Sequence, residues 1–580
     1  MDSLLTHKFI VKNFGLLFLF FFLGLKIGFA QESGNYLEGE NIQSVFIEFE
    51  NPLEDTQQQS SLLAKVNMLF PVYPQSTVRT ILLDAYTAKV KQLPEVENAF
   101  YEVRPSLTGD ITVTLKIKLS DTLKDKPAKS GALIGGKDFP ILYMDNKSLL
   151  TSRIAMAEML YSNNNSWYGR DDAMLNGNPL VDGPAGKGYT GWVEGWASAG
   201  IYGITTLSSK SNVYLYGGAN LIMSGTAGRE LFTDVSRIHT GFDDAYVGFF
   251  GVKSFSNGNL LSYNFSVGRQ QFTIGNGFII RNTASNGGDR AGLQLNPRWA
   301  ADYLGLATIK YNNLMLQVFQ INPDELPIID SRTVMNGFNT EYGINLGHKV
   351  GFTYLNVSRS DFGYYTPTGD VFRRNGLNLY NIRYYKNLTQ GKPGLLIKTE
   401  VAHETNSNFK MSAFAGYGEI GWSFAKAKAS PTFMYRFSYF SGDDPNTKTF
   451  ERWDPLLTGG NGEDWVLGAN HFKIVQNSNL IAHKIQASLR LSKKIELVPQ
   501  YFYFLAANNN NVGGNPALSY MPQKAYGQEV NITWKYFHSR KWYFHGHFAQ
   551  TIPGTGVKEA LGGDAKSWFS AMLFFRYSLN

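Results

Sequence analysis

Trp568-Phe-Ser-Ala-Met-Leu-Phe-Phe-Arg-Tyr-Ser-Leu-Asn580 closes the chain on a two-residue alternation. Phe569, Ala571, Leu573, Phe575, Tyr577 and Leu579 fall on one face, and Ser570, Met572, Phe574, Arg576 and Ser578 on the other. A strand with one greasy face, aromatic residues near both ends and an arginine opposite suits a wall between lipid and water. Hydrocarbon cannot satisfy free N–H and C=O groups, so such a strand must be paired along both edges. The pattern predicts a closed barrel.

Working back from the terminus, the same unit recurs from about Lys147 onward: a run of alternation, then a turn or loop rich in Gly, Asn, Asp and Pro. Fifteen clear segments, the first at Asn212–Met223, and three weaker ones at Leu149–Leu160, Gly191–Gly203 and Asp302–Tyr311 give 18 antiparallel strands, with sixteen as the alternative count. A wall of that size encloses an aqueous channel, whereas eight strands enclose only side chains. The 41 Phe, 32 Tyr and 10 Trp in a chain of negative mean hydropathy fit aromatic girdles around a polar interior. There are no cysteines, which excludes disulfides, thiolate catalysis and Cys-based zinc sites.

The first 30 residues read as a cleaved secretory leader: Lys8 and Lys12, an apolar run from Phe14 to Leu25, and Gly28-Phe29-Ala30 before Gln31. Beyond them no run of eighteen apolar residues exists, so insertion into a membrane must use strands. Three units follow: the leader at 1–30, a small α+β domain at 31–130, and a barrel at 131–580. Residues 31–130 hold 10 Lys+Arg against 14 Asp+Glu, and 131–580 hold 41 against 32. The basic residues of the second part are scattered singly among aromatics and glycines, not clustered as in nucleic-acid binders.

The small domain reads strand, helix, helix, strand, strand. Ile42 to Glu50 alternates. A helix over Thr77 to Leu93 presents Val78, Ile81, Leu82, Ala85 and Ala88 on one side, interrupted by Lys89. Leu93-Pro-Glu-Val-Glu-Asn-Ala-Phe-Tyr-Glu-Val103 and Gly109-Asp-Ile-Thr-Val-Thr-Leu-Lys-Ile-Lys-Leu119 supply the last two strands. This order resembles a polypeptide-transport-associated (POTRA) domain. The resemblance implies a periplasmic position ahead of the barrel and a strand edge that accepts a protein partner by β-augmentation. The alternative is a domain that plugs or steadies the pore.

On the barrel strands the polar face carries many cations. Lys484, Gln486, Ser488 and Arg490 alternate with Ile485, Ala487 and Leu489. Arg436 lies opposite Phe433, Tyr435 and Phe437. Lys398 and Glu400 alternate with Ile397 and Val401, and Glu529, Asn531, Thr533 and Lys535 with Val530, Ile532 and Trp534. With Arg383 these are candidates for a basic lumen that favours anions. The competing reading is that the charges cancel across a wide pore.

One stretch stands apart. Gly268-Arg-Gln-Gln-Phe-Thr-Ile-Gly-Asn-Gly-Phe-Ile-Ile-Arg281, then Asn286-Gly-Gly-Asp-Arg290 and Asn296-Pro-Arg298, packs four arginines and six glycines into thirty-one residues. Together with Phe450-Glu-Arg-Trp-Asp-Pro-Leu456, Ser478-Asn-Leu-Ile-Ala-His-Lys484 and the closing strands, it resembles the alginate-export outer-membrane family. The resemblance covers roughly 240–580 and implies an eighteen-stranded barrel with an arginine-lined constriction for an anionic polysaccharide. By position in the motif, Arg269, Arg281, Arg290 and Arg298 are the substrate-contacting candidates it implies. The N-terminal domain departs from that family's pattern.

No enzyme signature emerges. His545 and His547 share a strand face without a third ligand, Asp443, Asp444 and Asp454 could hold calcium or simply solvate a turn, and no Ser–His spacing is singled out. No cofactor is implied. The expected function is a channel in the outer membrane of a Gram-negative bacterium for anionic or polar solutes, in its sharpest form an acidic-polysaccharide exporter. The second reading is a protein-transport or assembly platform. The expected partners are outer-membrane lipid, an anionic polysaccharide or small anions, and a periplasmic protein at the POTRA-like domain, with nucleic acid excluded.

Overall fold

The computed structural model describes residues 42–579, apart from 121–139, 167–188, 208–212, 230–235, 387–392, 459–467, 471–476, 513–518 and several shorter stretches. The leader at 1–30 and the boundary near residue 130 lie outside the described residues.

The barrel closes. Eighteen strands, from Ser148–Asn164 to Trp568–Leu579, pair antiparallel with their neighbours in chain order, and the last pairs with the first. Phe569 lies opposite Asn164 and Leu579 opposite Ile154. All eighteen segments expected from the alternation are wall strands, and the three weaker ones are Ser148–Asn164, Tyr189–Thr206 and Tyr303–Tyr311. The first four are longer than the alternation suggested: the ladder continues through Asn163, Thr190, Ser224 and Gly225, where backbone pairing persists without an apolar side chain. The strand Ala413–Ser423 begins only after Met411, which leaves the wall to bridge Phe450.

Side chains follow the period of two. Val530, Ile532 and Trp534 are exposed outward while Glu529, Asn531, Thr533 and Lys535 are buried inward. Phe433, Tyr435, Phe437, Ile485, Ile382 and Val401 likewise face out. A continuous apolar outer wall is the surface that lipid covers. No described helix is long and apolar enough to cross a membrane.

The N-terminal module is built from β1 (Ile42–Phe49), α1 (Thr56–Leu69), α2 (Thr80–Lys91), β2 (Val96–Pro105) and β3 (Ile111–Leu119). Its sheet order is β1-β3-β2, with β3 parallel to β1 and antiparallel to β2. The element order is the one the sequence suggested. The burial of α2 is not. Leu82, Leu83, Tyr86 and Val90 are all buried, in one apolar cluster with Val113 and Leu115 of the module and Tyr202, Tyr216, Tyr246 and Phe250 of the barrel wall. The helix is covered on two sides because it lies between its own sheet and the wall. Lys89, which interrupts the apolar face in the sequence, is a docking contact: its Nζ donates to the Tyr214 hydroxyl at 2.8 Å.

Short connections such as Asn312-Asn313 and 491–494 share the module's end of the wall with the start of Ser148–Asn164. The long ones, 270–302, 441–479 and 507–524, belong to the opposite end.

Candidate functional site

The strand Leu260–Arg269 is short, and its ladder to Arg237–Ser254 stops at the pair Ala245–Arg269. The chain returns to the wall only at Tyr303, so residues 270–302 fold into the barrel. Phe272 packs on Phe319 (5.0 Å between ring centroids), and Phe278 meets Tyr417 (5.5 Å) and Trp453 (6.2 Å). The Asn276 N–H donates to the Tyr385 hydroxyl at 3.2 Å, and the N–H groups of Gln294 and Leu295 donate to Glu194 at 2.9 and 2.8 Å. The segment thus runs across the lumen, from the wall strand carrying Glu194 to those carrying Tyr385 and Tyr417. At its tip Gly275 has φ +57°, and a Cβ there would lie 2.8 Å from the Tyr385 hydroxyl, so only glycine sits there without strain.

The arginine-rich motif converges on one carboxylate. Arg269, Arg290 and Arg298 donate to Asp324 at 2.6, 3.0 and 2.9 Å. Arg269 also pairs with Asp302, and Arg290 caps the carbonyls of Asp324 and Glu325 at 3.0 and 2.8 Å. Burial by itself pushes the Asp324 carboxyl up, but the three guanidinium groups outweigh it and hold the group below the usual carboxylate range. Arg281 stands apart: its backbone N–H bonds Leu457 at 2.9 Å and its side chain lies over Gly277.

The other candidates line the inner wall in two ladder rows. One row runs Lys349, Tyr385, Lys398, Glu419, Arg436, Lys484, Phe502, Glu529. The next runs Glu341, Gly351, Arg383, Glu400. Arg436 donates to Glu419 at 2.8 Å. Arg383 reaches over Gly351 to Glu341 at 2.8 Å, because a Cβ on Gly351 would stand 2.6 Å from its guanidinium carbon. Lys349 meets the same Glu341 at 3.2 Å. Lys484 sits over the Phe502 ring at 5.9 Å, and Lys398 is buried in the first row. Arg490, toward the module's end, donates to Glu496 at 3.0 Å. The rows are close to charge balance, five cations (Lys349, Arg383, Lys398, Arg436, Lys484) to four carboxylates (Glu341, Glu400, Glu419, Glu529). Opposite charges thus interleave along these rows.

The sequence reading placed Glu400 and Glu529 on the polar face but passed over Glu341, Glu404 and Glu419, which also organise this interior. Glu529 accepts the N–H groups of Ala469 and Asn470 and the Thr551 hydroxyl, and so fastens the 441–479 connection. Asp454 on that connection takes a bidentate pair from Arg374 at 2.7 and 3.0 Å, while its own N–H donates to Glu404. The available signal was an acidic residue at an inward position of a strand, as at Glu341, Glu404 and Glu419. The calcium reading fails on geometry: Asp443 accepts the Glu451 N–H, Asp444 caps Asn446, and Asp454 is held by Arg374. His545 and His547 lie against Tyr543 and Thr533, and the described residues hold no cluster of three metal-ligating side chains.

At the module's end, the wall presents Arg153 to Asp84 of α2 at 3.1 Å, and the Tyr101 hydroxyl donates to the same carboxylate at 2.7 Å. Arg79 reaches Gln270 at 3.2 Å, where the inward segment begins. Module and inward segment therefore meet inside the barrel.

Among solved structures the chain is similar in fold to several proteins. OccAB4 of Acinetobacter baumannii matches at 11% identity and TM-score 0.44, over 75% of this chain and 98% of that one. OccK5 (OpdH) of Pseudomonas aeruginosa matches at 8% and 0.44, over 74% and 98%. OpdK of P. aeruginosa with vanillate matches at 9% and 0.41, over 74% and 98%. No family model matches the chain, and no curated protein does.

Proposed function

We propose that this protein is a channel of the Gram-negative outer membrane that passes small polar or anionic solutes and is held shut by its N-terminal module. The carrying observation is the closed eighteen-stranded wall, apolar outside and charged inside, with an arginine-bearing segment folded across its lumen. Three guanidinium groups on one carboxylate make Asp324 the internal stand-in for a solute carboxylate. A passing anion exchanges with it on the same three arginines. Arg269, Arg290 and Arg298 are the substrate residues on this reading, with Arg281 beside them on the inward segment. Its sharpest form is export of an acidic polysaccharide such as alginate, whose regularly spaced carboxylates would exchange in succession. The module keeps the periplasmic place that its resemblance to POTRA domains implies.

The test is ion selectivity in planar bilayers under a salt gradient. A reversal potential of anion-preferring sign at low salt supports the reading. A cation preference that is indifferent to serine at Arg269, Arg290 and Arg298 removes it.

A second reading, a protein-handling platform, draws support from the module's sheet. Among the described residues β1 and β2 each pair only with β3, so each leaves an edge that an extended chain can extend. Crosslinking from β1 and β2 in periplasm-exposed preparations would capture such a partner.

A further inference from the structure

The outer wall is not uniformly convex. A concavity of about 1080 Å³ opens on the outward face across the strands from Val213–Gly228 to His348–Arg359. Its floor is the strand Tyr303–Tyr311, whose two central outward residues, Gly305 and Ala307, are the smallest available. On one ladder row Ala307 is flanked by Phe249 and Phe265 on one side and by Val318, Phe338 and Tyr354 on the other. Large side chains thus wall a trough whose bottom is a methyl group and a bare backbone.

The next row toward the long-loop end changes chemistry. Past Gly305 it reads Gln320, Asn336, Asn356, Asn378, four outward amides on four consecutive strands. Side-chain hydrogen bonds link them in two pairs, Gln320 to Asn336 at 2.8 Å and Asn356 to Asn378 at 3.0 Å, and Asn336 also donates to Ser358 at 2.8 Å. Amides do not belong against hydrocarbon, where each donor and acceptor lacking a partner costs free energy. Their row marks the level at which acyl chains give way to head groups.

We infer that this trough is a lipid site: one acyl chain of a lipid in the leaflet on the long-loop side lies over Gly305 and Ala307, and its head group hydrogen-bonds the Gln320–Asn336–Asn356 row. In a bilayer every outward surface is wetted by chains, so burial alone selects nothing. Packing contacts and directed hydrogen bonds are what distinguish a held lipid from a passing one. The trough supplies contact on three sides and the amides supply direction. Neutral amides suit a hydroxyl- or amide-bearing junction between head and chain.

The inference rests on the wall spanning a bilayer, and the experiment separates the two. The full-length protein, extracted from its membrane in mild detergent, is examined by native mass spectrometry, with heat-modifiable migration as the check on a folded wall. We expect a lipid adduct on the parent and on Ala487→Phe, an outward bulky substitution on a distant strand, and loss of that adduct in Ala307→Phe. Asn336→Leu should weaken the adduct without filling the trough. Should Ala307→Phe fail to migrate as a folded barrel, Ala307→Leu is read in its place. An adduct retained at parental level in the folded Ala307 variant overturns the site, as does a parental dimer that the same substitution dissolves, which would make the trough a contact between copies. A wall that is never heat-modifiable, in any variant, fails the membrane reading instead.

Discussion

Asp84 on helix α2 and Arg153 on the inner wall form an ion pair at 3.1 Å in which the arginine is almost completely buried. Arg153 also lies 4.2 Å from the centroid of the Tyr202 ring, and the Tyr202 hydroxyl in turn donates to Asp244 at 2.9 Å. The pair joins a folded module to a folded wall, so its loss need not unfold either. Removing one partner of a buried pair typically costs about 3–5 kcal/mol because the other charge is left stranded. We expect Asp84→Ala to loosen the module and raise the frequency of channel openings in a planar bilayer by at least an order of magnitude, with heat-modifiable migration unchanged.

Asp324 supplies a pH dependence whose sign is fixed. Its carboxyl lies below the ordinary range in the folded state, so the stability it contributes is full above the ordinary carboxylate pKa of about 4 and is lost as pH falls through the lower folded value. The inward segment should therefore resist protease at pH 5 to 8 and become cleavable by pepsin in strong acid. Asp324→Asn mimics the acid state at neutral pH. Trypsin should then cut after Arg290 or Arg298 markedly faster than in the parent.

Gly351 tests the packing of the charge rows. A Cβ there would stand 2.6 Å from the Arg383 guanidinium carbon, so Gly351→Ala must push Arg383 off Glu341. Glu341 would keep Lys349 alone. We expect a loss of stability of about 3 kcal/mol, the lower part of the range for a disrupted buried pair, seen as a lower temperature of the heat-modifiable transition. No change would mean that Arg383 finds an equivalent place.

Selectivity separates the hub from the rows. Serine at Arg269, Arg290 and Arg298 together should move the reversal potential toward cations, most strongly at 0.01 M salt, where the Debye length of about 30 Å exceeds the pore radius. Glu419→Gln should move it the other way by a smaller amount, because it frees Arg436 within a nearly balanced row.

The wall was legible in the sequence because backbone pairing fixes a period of two and lipid selects one face: Ile485 against Lys484, and Trp534 against Lys535, could be sorted without coordinates. The interior was not. Arg269 and Asp324 lie 55 positions apart and meet only because the chain leaves the wall at Arg269 and, two strands later, leaves it again just before Asp324. The apolar run Phe278-Ile279-Ile280 has no period to mark it as lumen filling, since it belongs to neither strand nor helix. Lys89 read as a flaw in an amphipathic helix because its partner, Tyr214, lies on the barrel. Arg436 was read without its partner Glu419, which sits in register on the neighbouring strand rather than nearby in the chain.

The central claim is a conducting wall shut by a docked module, and single-channel recording tests it most directly. Full-length protein, Asp84→Ala, and a form lacking residues 31–130 behind the leader are compared in planar bilayers, after heat-modifiable migration has shown each wall to be folded. The account expects rare openings from the parent, frequent ones from Asp84→Ala, and sustained steps of the same conductance or larger from the form without the module. A folded barrel that stays silent with the module removed would contradict it.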